Sequence, residues 1–242
     1  EEYKCQDTDC QKFKKERRYS MCGIAGYFLK KPVKNSSKSI NLLLSPISQR
    51  GPDDEGVCLI SRQEKILRFY KTDKTVSSLA SNLPHIDDKN TIINHDLAFI
   101  HCRHAIIDLT EGGHQPFISR DKSVIAVFNG EIYNYIELKQ ELSSLGVRFR
   151  TSCDTEVLVE GYCFWKDQLW AKLNGFWAVV LYDFRDNSII LSRDRIGVAP
   201  LYYRQTQDGF FFASYIQSLI NMDPENLSLD DDAILGFAQT GI

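Results

Sequence analysis

Alternating hydrophobic and polar positions occur along this chain in short segments, and several of these segments come in pairs. Alternation and enrichment in β-branched and aromatic residues predict strands at residues 24–29, 57–60, 65–70, 97–103, 124–128, 177–184, 188–192, 200–204 and 210–213. Two of the pairs are close enough in sequence to form hairpins, and Asp186-Asn187 is a suitable turn in one of them. This pattern indicates mostly antiparallel sheets rather than alternating βαβ units.

Apolar residues at helical spacing occupy fewer segments, which lie between or after the strands. They predict a helix over 40–47 and another over 135–145 that is closed by Gly146. A helix over 156–164 follows Asp154 and Thr155, which are N-cap candidates. Two further helices are predicted at 214–220 and 230–239. The chain is therefore expected to have an α+β fold with helices packed outside antiparallel sheets.

Two segments interrupt this regular pattern. The strand over 124–128 is predicted to stop at Asn129-Gly130, because this dipeptide readily takes left-handed turn conformations. Residues 71–95 are polar, lack periodicity and contain Pro84, so they are predicted to form an irregular surface excursion.

Composition narrows the class of protein. The chain has 242 residues, 43% of them hydrophobic, which is enough for a substantial core, and its net charge of -3 gives no reason to expect nucleic-acid or anionic-membrane binding. No apolar run approaches the roughly 20 residues of a membrane span. Seven cysteines at irregular spacing favour reduced thiols and a cytoplasmic location. Cys5 and Cys10 lack a following Cys/His pair, so no metal site is predicted.

A cysteine at the start of the first strand is the first candidate for chemistry. Cys22 lies between Met21 and Gly23, and a glycine at this position lets the backbone approach a ligand closely. This placement suits a nucleophile at the edge of a pocket, but free cysteines are also among the most buried residue types. Both a nucleophile and an ordinary core cysteine fit this segment.

Other polar residues fall at predicted strand ends or in the loops beside them. An arginine suits a carboxylate and an acidic side chain suits an ammonium group, so such residues near one thiol would recognise a free amino acid. A side-chain amide and a glycine N–H could together stabilise an oxyanion. Taken singly, each of these residues is more often a turn former or a surface charge. The residues in question are Arg50, Arg103, Asn129, Gly130, Glu131 and Asp154.

Six separated motifs occur in an order that resembles one known family. The series looks like the glutamine amidotransferase domain (class II, N-terminal-nucleophile type) of glutamine-dependent asparagine synthetases, and the resemblance covers about residues 21–240. The motifs are Met21-Cys22-Gly23-Ile24-Ala25-Gly26, Arg50-Gly51-Pro52-Asp53, Arg103 with Ile106-Ile107-Asp108, Asn129-Gly130-Glu131-Ile132-Tyr133-Asn134, Asp154 with Glu156, and Arg193-Asp194 with Gly197 and Pro200-Leu201-Tyr202-Tyr203.

This resemblance implies a fold and a set of roles. The fold would be a four-layer αββα sandwich of two antiparallel sheets, the Ntn-hydrolase type. Cys22 would attack the side-chain amide of glutamine, with Asn129 and Gly130 forming the oxyanion hole. Glutamine would be bound by Arg103 at its α-carboxylate and by Asp154 and Glu131 at its α-ammonium group, with Ile107 also among the binding residues. Arg50 would support the nucleophile loop, and Arg193 and Asp194 are expected to form a salt bridge that fixes the loop before Pro200.

The same resemblance raises a question about the twenty residues before Met21. In this family the base is the free α-amino group of the cysteine, so Cys22 would have to be the first residue of the mature protein. Residues 1–20 are mostly charged and polar, and they are interpreted as a flexible leader or a non-native extension. The remaining alternative is that the chain with this segment attached is inactive.

Relatives of this type continue into an ATP-pyrophosphatase domain that opens with a Ser-Gly-Gly-x-Asp-Ser loop, and this sequence contains no such loop. Residues 21–222 are therefore expected to be the amidotransferase domain, and 223–242 a linker toward a C-terminal synthetase domain. No cofactor is expected in the amidotransferase domain, whereas ATP and Mg²⁺ are implied for the synthetase domain. The expected partners are glutamine and that domain, and a homodimer is left open.

Several functions remain open at this stage. The ammonia acceptor is expected to be an ATP-activated carboxylate, with aspartate first and a sugar carboxylate as an alternative. A third candidate is a catalytically silent docking or regulatory module. It is motivated by the residues that precede Cys22 and by Tyr215 and Gln217, which depart from the family pattern in the segment that lies toward the synthetase side in the family. Gln49 and His104-Ala105 also depart from the pattern, but they change no residue that is given a catalytic role.

Overall fold

The computed structural model describes residues 21–34, 37–105, 110–224 and 231–240. Within these ranges the helices are α1 (Ser37–Ile47), α2 (Ser77–Ala80), α3 (Tyr135–Ser144), α4 (Asp154–Trp165), α5 (Leu169–Lys172), α6 (Ile216–Met222) and α7 (Asp231–Thr240). The strands are β1 (Gly23–Val33), β2 (Asp54–Ser61), β3 (Ile66–Tyr70), β4 (His95–Arg103), β5 (Phe117–Ile118), β6 (Val124–Ile132), β7 (Gly175–Asp183), β8 (Ser188–Arg193), β9 (Tyr202–Gln205) and β10 (Gly209–Ala213). Short 3₁₀ turns lie at Glu111–Gly113 and Lys166–Gln168.

The strands form two antiparallel sheets. One has the order β3-β2-β4-β1-β10-β9, and the other has the order β5-β6-β7-β8. In the first sheet β1 lies between β4 and β10, with Gly23 opposite Cys102. In the second sheet β6 pairs along its whole length with β7. The residues just before β1 and at the end of β4 are therefore neighbours where these two inner strands end, on the same side of the first sheet.

Alternation along the strands divides the core into three apolar layers. On β4, Leu97 and Phe99 face the second sheet, whereas Ala98 and Ile100 face helices α1 and α6. The second sheet behaves in the same way, since Ile125 on β6 belongs to the layer between the sheets and its neighbours belong to the layer under α3 and α4. The order of layers is helix, sheet, sheet, helix, which confirms the predicted αββα sandwich.

The predicted end of a strand at Asn129-Gly130 is wrong. Strand β6 continues through both residues to Ile132, and Gly130 pairs with Trp177 of β7. Gly130 nevertheless has φ of 151°, a value that favours glycine, and a Cβ at this position would overlap the carbonyl oxygen of Phe176. Gly130 thus has the positive φ that the dipeptide favours, but cross-strand pairing keeps it within the sheet.

The excursion over 71–95 is anchored more deeply than its polarity predicts. Ile86 and Ile92 are buried in the layer under α1. The hydroxyl of Thr72 donates to Glu55 Oε2 at 2.7 Å, and the hydroxyl of Thr75 donates to the Glu55 carbonyl oxygen at 2.6 Å. The segment is therefore irregular, as predicted, but part of it is core.

Two local expectations change in detail. Helix α4 begins at Asp154 itself, its N-cap residue is Cys153, and no side-chain capping bond is formed there. Arg193 and Asp194 do not form the expected salt bridge with each other. Arg193 Nε donates to the carbonyl oxygen of Ala199, while the Asp194 carboxylate accepts from backbone N–H groups, among them those of Gly197 and Ala199. Both side chains fix the loop before Pro200 through its backbone.

The Gly130→Ala substitution is expected to destabilise the fold because a Cβ has no room beside Phe176 and the backbone conformation is one that alanine rarely adopts. The free energy of unfolding in denaturant should fall by roughly 3 kcal/mol, with strain and overlap both contributing. Gly146→Ala is the matched control, since Gly146 also has positive φ but no atom lies within 4 Å of the point that a Cβ would occupy there. Equal losses in the two variants would contradict the close approach at Gly130.

Candidate active site

A single cleft collects the candidate residues from four elements. Cys22 directly precedes β1, Arg103 ends β4, and Asp154 begins α4. Asn129, Gly130 and Glu131 come from β6, and all six residues line the same cleft. The structure thus brings together six of the eight residues predicted from the sequence. Arg50 lies beside the cleft, and Ile107 lies outside the described residues.

The Cys22 thiol is held by backbone groups of His104. The His104 N–H donates to Cys22 Sγ at 3.3 Å, and Sγ lies 3.6 Å from the His104 carbonyl oxygen. Burial raises the pKa of the thiol to about 11, although the His104 backbone and the positive charge of Arg103 act in the opposite direction. The thiol is therefore protonated near neutral pH and needs a base before it can act as a nucleophile.

The loop of Arg50 to Asp53 connects Cys22 to the residues at and after the end of β4. Arg50 Nε donates to the carbonyl oxygen of Cys22 at 3.2 Å. Asp53 accepts at Oδ2 from the Ala105 N–H at 2.9 Å, and the same oxygen lies 3.2 Å from His104 Nδ1. A Cβ at Gly51 would overlap the backbone of Cys102. Arg50 thus contacts the backbone of Cys22, and its support of the Cys22 loop stays a prediction.

Two donors lie on the β6 side of the cleft. Asn129 is only 1% exposed, and its Nδ2 has no hydrogen-bond partner among the described residues. The other donor is the N–H of Gly130. Gly130 pairs in register with Trp177, whose N–H donates to the Asp194 carboxylate and whose carbonyl oxygen accepts from the Asp194 N–H. The N–H and carbonyl group of one strand residue point to the same side, and paired residues of antiparallel strands that are not bonded to each other point both groups away from each other. The Gly130 N–H therefore points away from β7, toward the free edge of β6.

Charged side chains line the same cleft as these two donors. Arg103 is 8% exposed and its Nη1 donates to the carbonyl oxygen of Thr110 at 2.8 Å. Asp154 is 6% exposed and accepts at Oδ2 from the Ile132 N–H at 3.1 Å. Burial raises the pKa of Asp154 to about 6, and the negative charge of Glu131 acts in the same direction. The cleft therefore offers a cation and two acidic groups, which are the groups needed for the two ends of a free amino acid.

Sequence reasoning missed four largely buried polar residues around this cleft. Asp54 Oδ2 and His114 Nδ1 are 2.7 Å apart, and His101 Nε2 donates to the carbonyl oxygen of Phe128 at 3.1 Å. The side-chain amide of Gln115 also forms hydrogen bonds with the N–H and the carbonyl oxygen of Phe128. The available signal was weak: His101 is a polar residue within a predicted strand, and Gln115 precedes a proline in a glycine-rich loop.

The described residues include no group of three or more His, Cys, Asp or Glu side chains that could hold a metal ion. The described cysteines, which are Cys22, Cys58, Cys102, Cys153 and Cys163, are all free thiols. The expectation about ATP and Mg²⁺ concerns a domain outside this sequence and stays a prediction.

Comparison with known proteins gives consistent matches. The profile of a family described as "Glutamine amidotransferase domain" matches residues 64–242. Asparagine synthetase [glutamine-hydrolyzing] 1 of Bacillus subtilis is 32% identical over 217 residues, which cover 88% of this chain and 29% of the relative. Asparagine synthetase [glutamine-hydrolyzing] 2 of Oryza sativa subsp. japonica is 42% identical over 125 residues, which cover 51% of this chain and 21% of the relative. The chain thus spans less than a third of the length of these two relatives.

A solved structure supports the fold. The glutamine phosphoribosylpyrophosphate amidotransferase from B. subtilis, complexed with ADP and GMP, superimposes with a TM-score of 0.65 at 22% identity, over 83% of this chain and 43% of that chain. Identity at this level bears on the fold alone. Separately, none of the helices in the described ranges is long and apolar enough to cross a membrane; the predicted cytoplasmic location stays a prediction.

Proposed function

We propose, because this chain belongs to the glutamine amidotransferase domain family, that its cleft hydrolyses glutamine to glutamate and ammonia through a thioester on Cys22. One observation carries the proposal: the cleft places a thiol beside an unpartnered buried amide donor, a guanidinium group and two acidic side chains. In the first step the sulfur forms a bond to the amide carbon, the carbon–nitrogen bond breaks, and ammonia leaves. Water then hydrolyses the thioester and frees the thiol.

The proposed base is the α-amino group of Cys22 itself. Both hydrogen bonds of the thiol described above involve the backbone of His104, and no side-chain base is hydrogen-bonded to Sγ among the described residues. A free α-amino group has a pKa of about 7.7–8.0, which suits proton transfer near neutral pH. It would accept the thiol proton and then give a proton to the leaving ammonia. This step requires a mature chain that begins at Cys22.

The remaining groups would bind and polarise the substrate. Arg103 would hold the α-carboxylate, while Asp154 and Glu131 would hold the α-ammonium group, with Ile107 as a further binding residue. The Asn129 side-chain amide and the Gly130 N–H would donate to the oxyanion of the tetrahedral intermediate. The orphaned Nδ2 of Asn129 supports this role, because a buried donor without a partner costs stability that a bound oxyanion would recover.

For the ammonia we propose transfer to an ATP-activated carboxylate, with aspartate as the first candidate. This rests on the names of the relatives, which are asparagine synthetases, and on the further length that those relatives possess. ATP and Mg²⁺ would act in that further domain. The acceptor can be tested by supplying ¹⁵N-amide glutamine and ATP to a full-length protein with aspartate or with a sugar carboxylate. Label in asparagine would support the first candidate, and label in the sugar amide would replace it.

The proposed reaction is tested by trapping the acyl-enzyme. A chain that begins at Cys22 is mixed with glutamine and quenched in acid within milliseconds, and mass spectrometry should find a glutamyl adduct on the Cys22 peptide. Cys22→Ala should give none, whereas Cys163→Ala should keep the adduct, since Cys163 does not line the cleft. Absence of both adduct and glutamate release in the unmodified chain would favour the catalytically silent module.

The oxyanion role predicts a specific kinetic effect. Asn129→Ala should lower kcat for glutamine by about 10²-fold and change KM less than about threefold, because the bond to the oxyanion exists only in the transition state. Steady-state glutamate release measures both constants. Asn187→Ala, in the exposed turn between β7 and β8, is the control and should leave both unchanged. A rise in KM alone would assign Asn129 to substrate binding instead.

A further inference from the structure

Gln115 is a buried, uncharged residue that lines the cleft, and the roles proposed above do not use it. Gln115 is 4% exposed, and its side chain forms two hydrogen bonds with the backbone of Phe128. The Phe128 N–H donates to Gln115 Oε1 at 2.7 Å, and Gln115 Nε2 donates to the Phe128 carbonyl oxygen at 3.2 Å. Nε2 also donates to Thr155 Oγ1 at 3.3 Å. The amide thus continues the hydrogen bonding of β6 beyond Phe117, the first residue of β5, where the pairing of these two strands stops.

These contacts lie next to the groups that would handle glutamine. Phe128 directly precedes Asn129, so the position of the Phe128 backbone determines where the proposed oxyanion donors of Asn129 and Gly130 lie and how they are oriented. Thr155 directly follows Asp154 at the start of α4. A single side chain therefore connects the strand that carries the donors with the helix that carries the ammonium partner.

The segment around Gln115 is itself packed closely against strands β2 and β4. A Cβ at Gly113 would overlap the guanidinium group of Arg103, and one at Gly56 would overlap the carbonyl oxygen of Gln115. Between them, His114 is paired with Asp54. This close packing leaves Gln115 little freedom, so its amide can transmit the position of Arg103 to β6 and α4.

We propose that Gln115 is a positioning residue for amide hydrolysis, which holds the Asn129 and Gly130 donors at a fixed place relative to Arg103 and Asp154. The proposal rests on the proposed function. Gln115 does not contact the reacting atoms; it acts through the Phe128 peptide. A displacement of about 1 Å at an oxyanion donor is costly because the donors must match the transition state and not the ground state.

Two variants of the mature chain separate positioning from general stability. Gln115→Met keeps the length of the side chain and removes all three of its hydrogen bonds, and we expect kcat to fall roughly 10- to 100-fold with KM changed less than about threefold. Leu142→Ala is the destabilising control, because Leu142 lies on the buried face of α3, is fully buried in the layer between that helix and the second sheet, and does not line the cleft. It should lose stability but retain kcat per active site. Sites are counted by alkylation of Cys22 with a chloromethyl-ketone analogue of glutamine.

The second variant, Gln115→Glu, gives a pH signature. A protonated carboxyl group can accept from the Phe128 N–H and donate to the Phe128 carbonyl oxygen, whereas a carboxylate repels that oxygen. The ratio of Gln115→Glu kcat to unmodified kcat should therefore rise at least about fivefold as the pH falls from 8 to 6. A purely structural role gives no such recovery.

A measurement without turnover keeps the proposal testable if the chain proves inactive. Hydrogen exchange followed by NMR should show the Phe128 amide, which donates to Gln115 Oε1, exchanging at least about tenfold faster in Gln115→Met, with the Val179 and Val180 amides unchanged. Unchanged exchange at the Phe128 amide, or a kcat per site equal to that of Leu142→Ala, would overturn the positioning role. An inactive unmodified chain would sink the proposed function, and the exchange result would then decide on Gln115 alone.

Discussion

A chain that begins at Cys22 is expected to hydrolyse glutamine about 10³-fold faster, in kcat/KM, than the same chain with Met21 and a short extension attached. The physical reason is the state of the thiol. With a pKa of about 11, only about one thiol in 10⁴ is ionised at pH 7, and general-base assistance contributes roughly 10²- to 10⁴-fold. An extension converts the α-amine into an amide, which cannot accept the proton.

One preparation can supply both forms. An extension that ends in a protease site directly before Cys22 is assayed for glutamate release before and after cleavage, and mass spectrometry verifies the new terminus. The cleaved form should gain activity with an apparent pKa of about 7.7–8.0 in kcat/KM. If the uncleaved form is equally fast, another group is the base, and His104, which lines the cleft beside Asp53, becomes the first candidate to test.

The sequence predicts the parts of this fold that depend on local alternation. Leu97 and Phe99 on one side of β4 and Ala98 and Ile100 on the other side have the period of a strand, and that period alone assigns them to separate layers. The four-layer arrangement and the convergence of Cys22 with distant motifs came from resemblance to a family, because periodicity does not determine which strands become neighbours.

What the sequence could not predict depends on partners that are distant in the chain. Asn129-Gly130 has the local preferences of a turn, and pairing with Trp177 and Ala178 overrides them. Gln115 could be recognised as important only once Phe128 and Thr155 were placed beside it. For the same reason the polar composition of residues 71–95 does not indicate which of its positions are buried. Ile86 is part of the core only because it packs under α1, which lies 39 or more residues earlier in the chain.

The substitution Asp154→Asn is expected to have opposite effects on binding and on stability. Asp154 is one of the two proposed partners of the α-ammonium group, and its loss leaves that buried charge with Glu131 alone. A cost of about 3–4 kcal/mol is typical for such a loss, which corresponds to a reduction of kcat/KM by roughly 10²- to 10³-fold, mostly through KM. Steady-state kinetics with glutamine, with the cleaved chain as reference, measures this effect.

The stability effect has the opposite sign because the folded protein raises the pKa of Asp154 from 3.8 to about 6. A carboxyl group with a raised pKa binds its proton more tightly in the folded state, so its ionisation disfavours folding, and the cost grows as the pH rises through 4 to 6. Each unit of pKa difference between the folded and the unfolded state corresponds to about 1.4 kcal/mol, so the ionised carboxylate costs at most about 3 kcal/mol of stability at pH 7. The uncharged amide of the Asp154→Asn variant has no proton to lose and avoids this cost.

Urea unfolding of the Asp154→Asn variant should therefore show higher stability than the unmodified chain at pH 7, and the difference should vanish near pH 4. Over the same range KM of the unmodified chain should rise as the pH falls below 6, whereas KM of the variant should stay flat. Asp208→Asn, on the exposed turn before β10, is the matched control for both measurements. A variant that binds glutamine normally would remove Asp154 from the substrate site, while lower stability at pH 7 would show that its hydrogen bond to the Ile132 N–H outweighs the burial of its charge.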